Sequence, residues 1–171
     1  MMQDLILADP LEMNTVNQCL RQCNRGYIAV SSQWGDCLFE AILCSLATPV
    51  KKKYMYTAYH LRQQACMYMI LNYEKMLHFE PIRLTLIGQS TSLYQFIKKH
   101  IEPDFWGDSS MLHVIQDMWN INLSLINTWQ RHDPITHYGK HTHINQSKVV
   151  IIYNGHNHFT GTGKLLYIKL A

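Results

Sequence analysis

The run from Leu38 to Leu46 is apolar almost all the way round a helical wheel. A helix there has no face to offer to water and must be enclosed by the rest of the chain. Gly35 permits a tight turn before it, and Cys37 stands at its opening, in Gln33-Trp34-Gly35-Asp36-Cys37-Leu38-Phe39-Glu40-Ala41-Ile42. Unpaired amides and the positive end of the helix dipole favour thiolate, and sites of this kind lower a cysteine from about 8.5 to roughly 3.5–7.5. Asp36 is expected to cap the helix with its carboxylate turned away from the sulfur. That leaves the amides of Asp36 and Cys37 for an oxyanion. The competing reading is a buried, inert thiol that only packs.

The far end of the chain supplies a partner. Lys148 to Tyr153 is rich in β-branched residues, and Asn154-Gly155 is a hairpin signal. His156-Asn157-His158-Phe159-Thr160 follows, and a last run spans Lys164 to Leu170. Two strands thus present histidines at their junction. An imidazole near 6.5 can take a thiol's proton and return one to a leaving amine. An early Cys and a late His, joined only by folding, is the arrangement of a cysteine protease. On an alternating strand His156 shares a face with His158, so both are candidate bases.

These residues resemble a known family. Trp34 to Ala41 is similar to the D-G-x-C-L-F-x-A nucleophile motif of the ovarian-tumour (OTU) cysteine proteases, most of whose characterised members are deubiquitinases. His60-Leu61-Arg62, with Tyr68-Met69 and Asn72, resembles the family's helix carrying an L-R pair. Trp106-Gly107-Asp108, Met111-Leu112 and Ile121 to Leu125 resemble its W-G-x-x-x-E-L helix and following strand. His158-Phe159-Thr160 resembles its H-Y-N/D motif.

The resemblance runs from about residue 30 to the C-terminus. It implies an α+β, papain-like fold with a small central, mostly antiparallel sheet flanked by helices. The nucleophile then stands at the N-terminus of a buried helix.

The resemblance also implies a mechanism. Cys37 attacks a ubiquitin C-terminal carbonyl in an isopeptide bond, the amides of Asp36 and Cys37 hold the oxyanion, and His158 protonates the leaving lysine. His158 is preferred to His156 because it has the aromatic follower. Candidates for the substrate channel are Trp34, Gly35, Trp106, Gly107, Gly155, His156 and Phe159. Two positions depart from the pattern. Trp34 stands where the family carries Asp, and Thr160 where it carries the Asn or Asp that orients the imidazole. A Cys–His dyad or an incomplete triad follows, with Thr160 as candidate third member. The partners implied are ubiquitin, polyubiquitin chains or ubiquitin-like modifiers, and no cofactor is required. The two substitutions leave a second reading, a catalytically weak or silent OTU-like module that binds ubiquitin or another partner.

Bulk properties agree with a small enzyme. At 171 residues, 47% hydrophobic and 16% charged, the chain can bury one core, so residues 1–171 are read as one domain and 1–25 as a candidate N-terminal extension. A formal charge of +3, with Lys51-Lys52-Lys53 as the one basic run, argues against nucleic acid. No stretch has the length of a membrane span, and five cysteines without a secretory signal indicate a reducing compartment. A cytoplasmic monomer is expected, in a host cytosol if the source is a virus or a secreting bacterium. Histidines at 141, 143, 156 and 158 could be drawn together on zinc, but structural zinc sites generally recruit cysteines, and no metal is expected.

Elsewhere the pattern predicts a helix within Leu11 to Arg25 and a strand from Gly26 to Val30. It predicts helices over Tyr54 to Phe79, Ser92 to Ile101 and from Met111, with Asp108-Ser109-Ser110 as the N-cap of the last. Ile121, Leu123 and Leu125 alternate as a half-buried strand. Asn127 to Gln146 reads as a long polar loop, with Trp129 or Tyr138 placed to touch substrate.

Overall fold

The computed structural model describes residues 10–28, 30, 35–46, 57–130, 132–154 and 158–165. Five strands form one sheet in the order β1 (Arg25–Ile28), β5 (Phe159–Lys164), β4 (Val149–Tyr153), β2 (Leu123–Asn127), β3 (Ile135–Tyr138). Every neighbouring pair is antiparallel except β2 and β4. The expected fold class is what the chain adopts.

The two parallel strands lie at the centre and are buried along both faces, with only their last residues partly open. A central parallel pair is covered on each side, so β2 is not the half-buried strand that Ile121, Leu123 and Leu125 suggest. One face of the sheet carries Leu123, Leu125, Val149, Ile151 and Phe159 into the main core. The other carries Ile126, Val150 and Ile152 against Val16, Cys19 and Leu20 of α1 (Pro10–Gln22) and Cys23 just beyond it.

Helix α2 (Cys37–Ser45) lies in the main core, with Leu38, Phe39, Ala41 and Ile42 fully buried. Each large apolar side chain so placed contributes roughly 1.5–3 kcal/mol. It packs on β5, where a Cβ at Gly161 would come within 2.9 Å of Cys44 Cβ. Around α2 stand α3 (Ala58–Leu71), α4 (Tyr73–His78), α5 (Glu80–Gly88), α6 (Leu93–His100) and α7 (Met111–Trp119).

The single helix expected over 54–79 is two. Asn72 ends α3: its backbone N–H closes the last ladder bond, to the Tyr68 carbonyl that its side-chain amide also engages, and its own φ of −116° and ψ of 35° leave the helix. Leu61, Ala65 and Met69 are buried along α3 as their spacing requires. Ile101, expected inside, is 37% exposed just beyond α6. The polar stretch from Asn127 to Gln146 is not a loop throughout: it contains β3 and a 3-10 turn at Ile144–Gln146. Strand β1 begins one residue earlier than expected. The Lys51-Lys52-Lys53 run and the segment 166–170 lie outside the described residues.

Candidate active site

Cys37 opens α2 and is 5% exposed. Two glycines bring the neighbouring loop against its turn. A Cβ at Gly35 would fall 2.2 Å from the Phe105 carbonyl oxygen, and one at Gly107 would fall 2.8 Å from Leu38 Cδ2. The Gly107 amide donates to the Gly35 carbonyl at 3.3 Å. Backbone contact this close tolerates no side chain.

The Asp36 side chain does not cap the helix. Its Oδ1 pairs with Arg62 Nε at 3.0 Å. The same guanidinium is fully buried and donates to the carbonyls of His100 (2.7 Å), Gly35 (2.7 Å) and Phe105 (2.6 Å). Arg62 thereby fixes the nucleophile turn and the loop behind it as one unit. Asp36 and Cys37 begin the helix, where N–H groups lack intrahelical acceptors.

The structure places Cys37 in a cleft of about 260 Å³ with Trp106, Gly107, Asp108, Ser109, Tyr153 and Phe159. Of the expected channel residues, Trp106, Gly107 and Phe159 line it. Gly35 does not, its place being packed against Phe105. Trp34, Gly155 and His156 lie outside the described residues. Tyr138 is buried at 6%, its ring edge-on to His113, so it is no substrate contact. Trp129 is exposed and is not among the described residues of the cleft.

The expected hairpin carries the second half of the site. The Asn154 amide donates to the His158 carbonyl at 3.0 Å, and the His158 amide donates to Asn154 Oδ1 at 3.1 Å. The pairing therefore reaches Asn154 and His158, so the hairpin does not close on a two-residue Asn-Gly turn. This clamp delivers Phe159 to Cys37, and the Phe159 amide faces the sulfur. The His158 imidazole is half-buried and stands one residue before that contact, outside the described wall of the cleft.

The electrostatics correct one expectation. Burial pushes the Cys37 thiol up, outweighing the amides of Phe159, Leu38 and Cys37, which pull it down; Glu40 adds to the rise. Burial also pulls His158 down, with Glu40 opposing. Both shifts favour a resting thiol and neutral imidazole over an ion pair. Thr160 is a second correction. Its Oγ1 is fully buried, without a hydrogen-bond partner among the described residues, and so holds no imidazole.

Two cleft residues, Tyr153 and Asp108, are given no place at the site by the sequence pattern. Tyr153 ends β4 and stacks on Phe159 with centroids 4.7 Å apart, a contact visible only once the hairpin register is known. Burial, then Asp108 and Cys37, push its phenol up. Asp108 accepts from the Ser110 amide at 2.8 Å and from Gln89 at 2.6 Å, which fixes the rim. Among the described residues no group of three or more His, Cys, Asp or Glu side chains converges as a metal site.

The family model for the OTU-like cysteine proteases matches residues 33–162. No curated protein sequence matches the chain. Among solved structures it is similar to the OTU domain of OTUD1, at 18% identity and a TM-score of 0.62, over 89% of this chain and 94% of that one. It is similar to the Hazara virus OTU bound to ubiquitin, at 14% and 0.58, over 83% and 82%. It is also similar to an OTU deubiquitinase from Wolbachia pipientis wMel, at 17% and 0.56, over 81% and 88%. With the nucleophile turn, the buried helix behind it, β4 and β5 as far as Thr162 inside the matched span, the chain belongs to the OTU family of cysteine proteases.

Proposed function

We propose that this chain is a thiol deubiquitinase that hydrolyses isopeptide bonds at the C-terminus of ubiquitin or a ubiquitin-like protein. The observation that carries the reading is the β4–β5 hairpin laying Phe159 against Cys37 in an open cleft, with His158 next in the chain. Cys37 is the nucleophile and His158 the base, and the amides of Asp36 and Cys37 receive the oxyanion. His158 takes the thiol proton as the sulfur attacks and returns it to the departing lysine amine. Water then cleaves the thioester. Free enzymes often hold nucleophile and base apart until substrate docks. Support for ubiquitin comes from the structural neighbours, one bound to ubiquitin and another described as a deubiquitinase.

Because the resting pair is uncharged, alkylation of Cys37 should rise with pH to a midpoint above the ordinary thiol value. A midpoint on the acid side would contradict it. The deciding experiment is a ubiquitin probe with an electrophilic C-terminus. The expected outcome is labelling at Cys37, abolished in Cys37→Ala. Binding without labelling would favour the silent module, a reading supported by Thr160 Oγ1 having no hydrogen-bond partner among the described residues. Neither binding nor labelling would remove ubiquitin as the partner.

A further inference from the structure

On the sheet face opposite Cys37, four polar atoms converge on one point. Ser124 of β2 lies between Val150 of β4 and His137 of β3 in the sheet register. Its Oγ stands 2.9 Å from His137 Nδ1, 3.0 Å from His141 Nε2 and 2.6 Å from Ser147 Oγ. His141 Nε2 is 2.8 Å from Ser147 Oγ and 3.2 Å from His137 Nδ1. Five of the six edges of a tetrahedron are therefore short contacts.

Hydrogen bonds alone cannot fill these edges. The two hydroxyls bring one proton each, and an imidazole N–H brings a third, so five contacts share about three protons. Ser124 is fully buried, and Ser147 and His141 are nearly so. The surplus lone pairs face each other where water does not screen them. With both inner nitrogens bare, the two rings repel at 3.2 Å. A cation at the centre would satisfy all four atoms at once.

The geometry points to a divalent transition-metal site of the zinc class, held by His137 Nδ1 and His141 Nε2 with the hydroxyls of Ser124 and Ser147 completing a tetrahedron. The spacing His137-x-x-x-His141 is the H-x₃₋₅-H of zinc ligands. Bonds of about 2.0–2.1 Å to a tetrahedral zinc would put its ligands about 3.3 Å apart; the observed edges run from 2.6 to 3.2 Å, so the two hydroxyls at the shortest edge must part by roughly 0.7 Å to admit the ion. His141 Nδ1 is buried without a hydrogen-bond partner among the described residues. A metal on Nε2 fixes the ring's proton on Nδ1, which faces Gly139, where a built Cβ would lie 3.4 Å away. His137 is only half-buried, which leaves a way in. Two neutral imidazoles and two hydroxyls leave the ion's charge uncompensated, so the site is expected to bind reversibly.

The test is titration of Zn²⁺ and Co²⁺ into the tag-free full chain. The expected result is one equivalent that is lost in His137→Gln and in His141→Gln and kept in His143→Gln. Bound Co²⁺ should give the intense visible bands of a tetrahedral site without a thiolate charge-transfer band, which separates it from ligation by any of the five cysteines. Zn²⁺ should raise the Tm of the wild type and not that of His137→Gln, since an ion bound only to the folded state stabilises by mass action. His137→Gln at the half-exposed ring keeps the test intact if His141→Gln does not fold. Absence of saturable binding, or binding that survives His137→Gln, would overturn the assignment.

Discussion

The two ends of helix α2 are each held by a buried arginine, and the two are built differently. At the C-terminal end Arg25 donates to the carbonyls of Ser45, Ser147 and Lys148 at 3.0, 3.3 and 2.9 Å, and to Thr162 Oγ1 at 3.4 Å. None of these acceptors is charged. A cation there meets the negative end of the helix dipole, which favours it. At the N-terminal end Arg62 sits where the dipole is unfavourable to a cation, and there the chain supplies Asp36 as well as three carbonyls. The Cys37 end of the helix is thus held by an ion pair together with carbonyls, the other end by neutral acceptors alone.

The largest expected effect is Arg62→Leu. It leaves the Asp36 carboxylate, whose side chain is 28% exposed, and three inward carbonyls without their donor. Loss of one partner from such a pair costs about 3–5 kcal/mol, readable as a shift of the urea midpoint. Arg25→Leu strands only neutral acceptors, and about 1–3 kcal/mol is expected. Equal costs, or the reverse order, would break the contrast between the two anchors. The double cycle of Arg62→Leu and Asp36→Asn should then give a coupling of roughly 1.5–3 kcal/mol, the worth of a hydrogen bond to a charged group. Zero coupling would mean that the three carbonyls hold Arg62 without help from Asp36.

The α2 end of this arrangement is legible in the sequence, and the arginines' partners are not. The all-round apolar run after Gly35-Asp36-Cys37 can only be an enclosed helix, and the β-branched run before Asn154 can only be a strand, because each burial pattern is local. Arg62 is visible as part of an L-R pair, but its acceptors lie 26 to 43 residues away, and no periodicity encodes a guanidinium reaching carbonyls across the fold. Strand β3 is missed for a related reason. Ile135-Thr136-His137-Tyr138 is a short edge strand that depends on β2 for its pairing. The helix N-terminus is a local cue for a lowered thiol, whereas the burial that outweighs it depends on how the rest of the chain packs around residue 37.

The smallest effect sharpens the comparison through pH. His100, whose carbonyl Arg62 holds, is 2% exposed. Its Nδ1–H donates to the Phe96 carbonyl at 2.8 Å, and its Nε2 accepts from the Asp108 amide at 3.4 Å, so the folded protein uses the neutral ring. Burial pulls its pKa down; the Phe96 carbonyl and Asp108 oppose this, while Arg62 and Lys99 add to it. An imidazole lowered in the folded state takes up its proton more readily in the unfolded chain. The stability it contributes is therefore fully present above the unfolded value of about 6.5 and is lost as pH falls from there toward the folded value. Arg25 has no such neighbour among its hydrogen-bond partners. Unfolding free energy measured from pH 7.5 to 5 should decline on the acid side by at most about 1.4 kcal/mol per unit for this one proton. His100→Gln, which can still donate to Phe96, should flatten that decline, whereas Arg25→Leu should lower the curve and leave its slope unchanged. An acid slope that Arg25→Leu removes and His100→Gln preserves would assign the pH sensitivity to the opposite end of the helix.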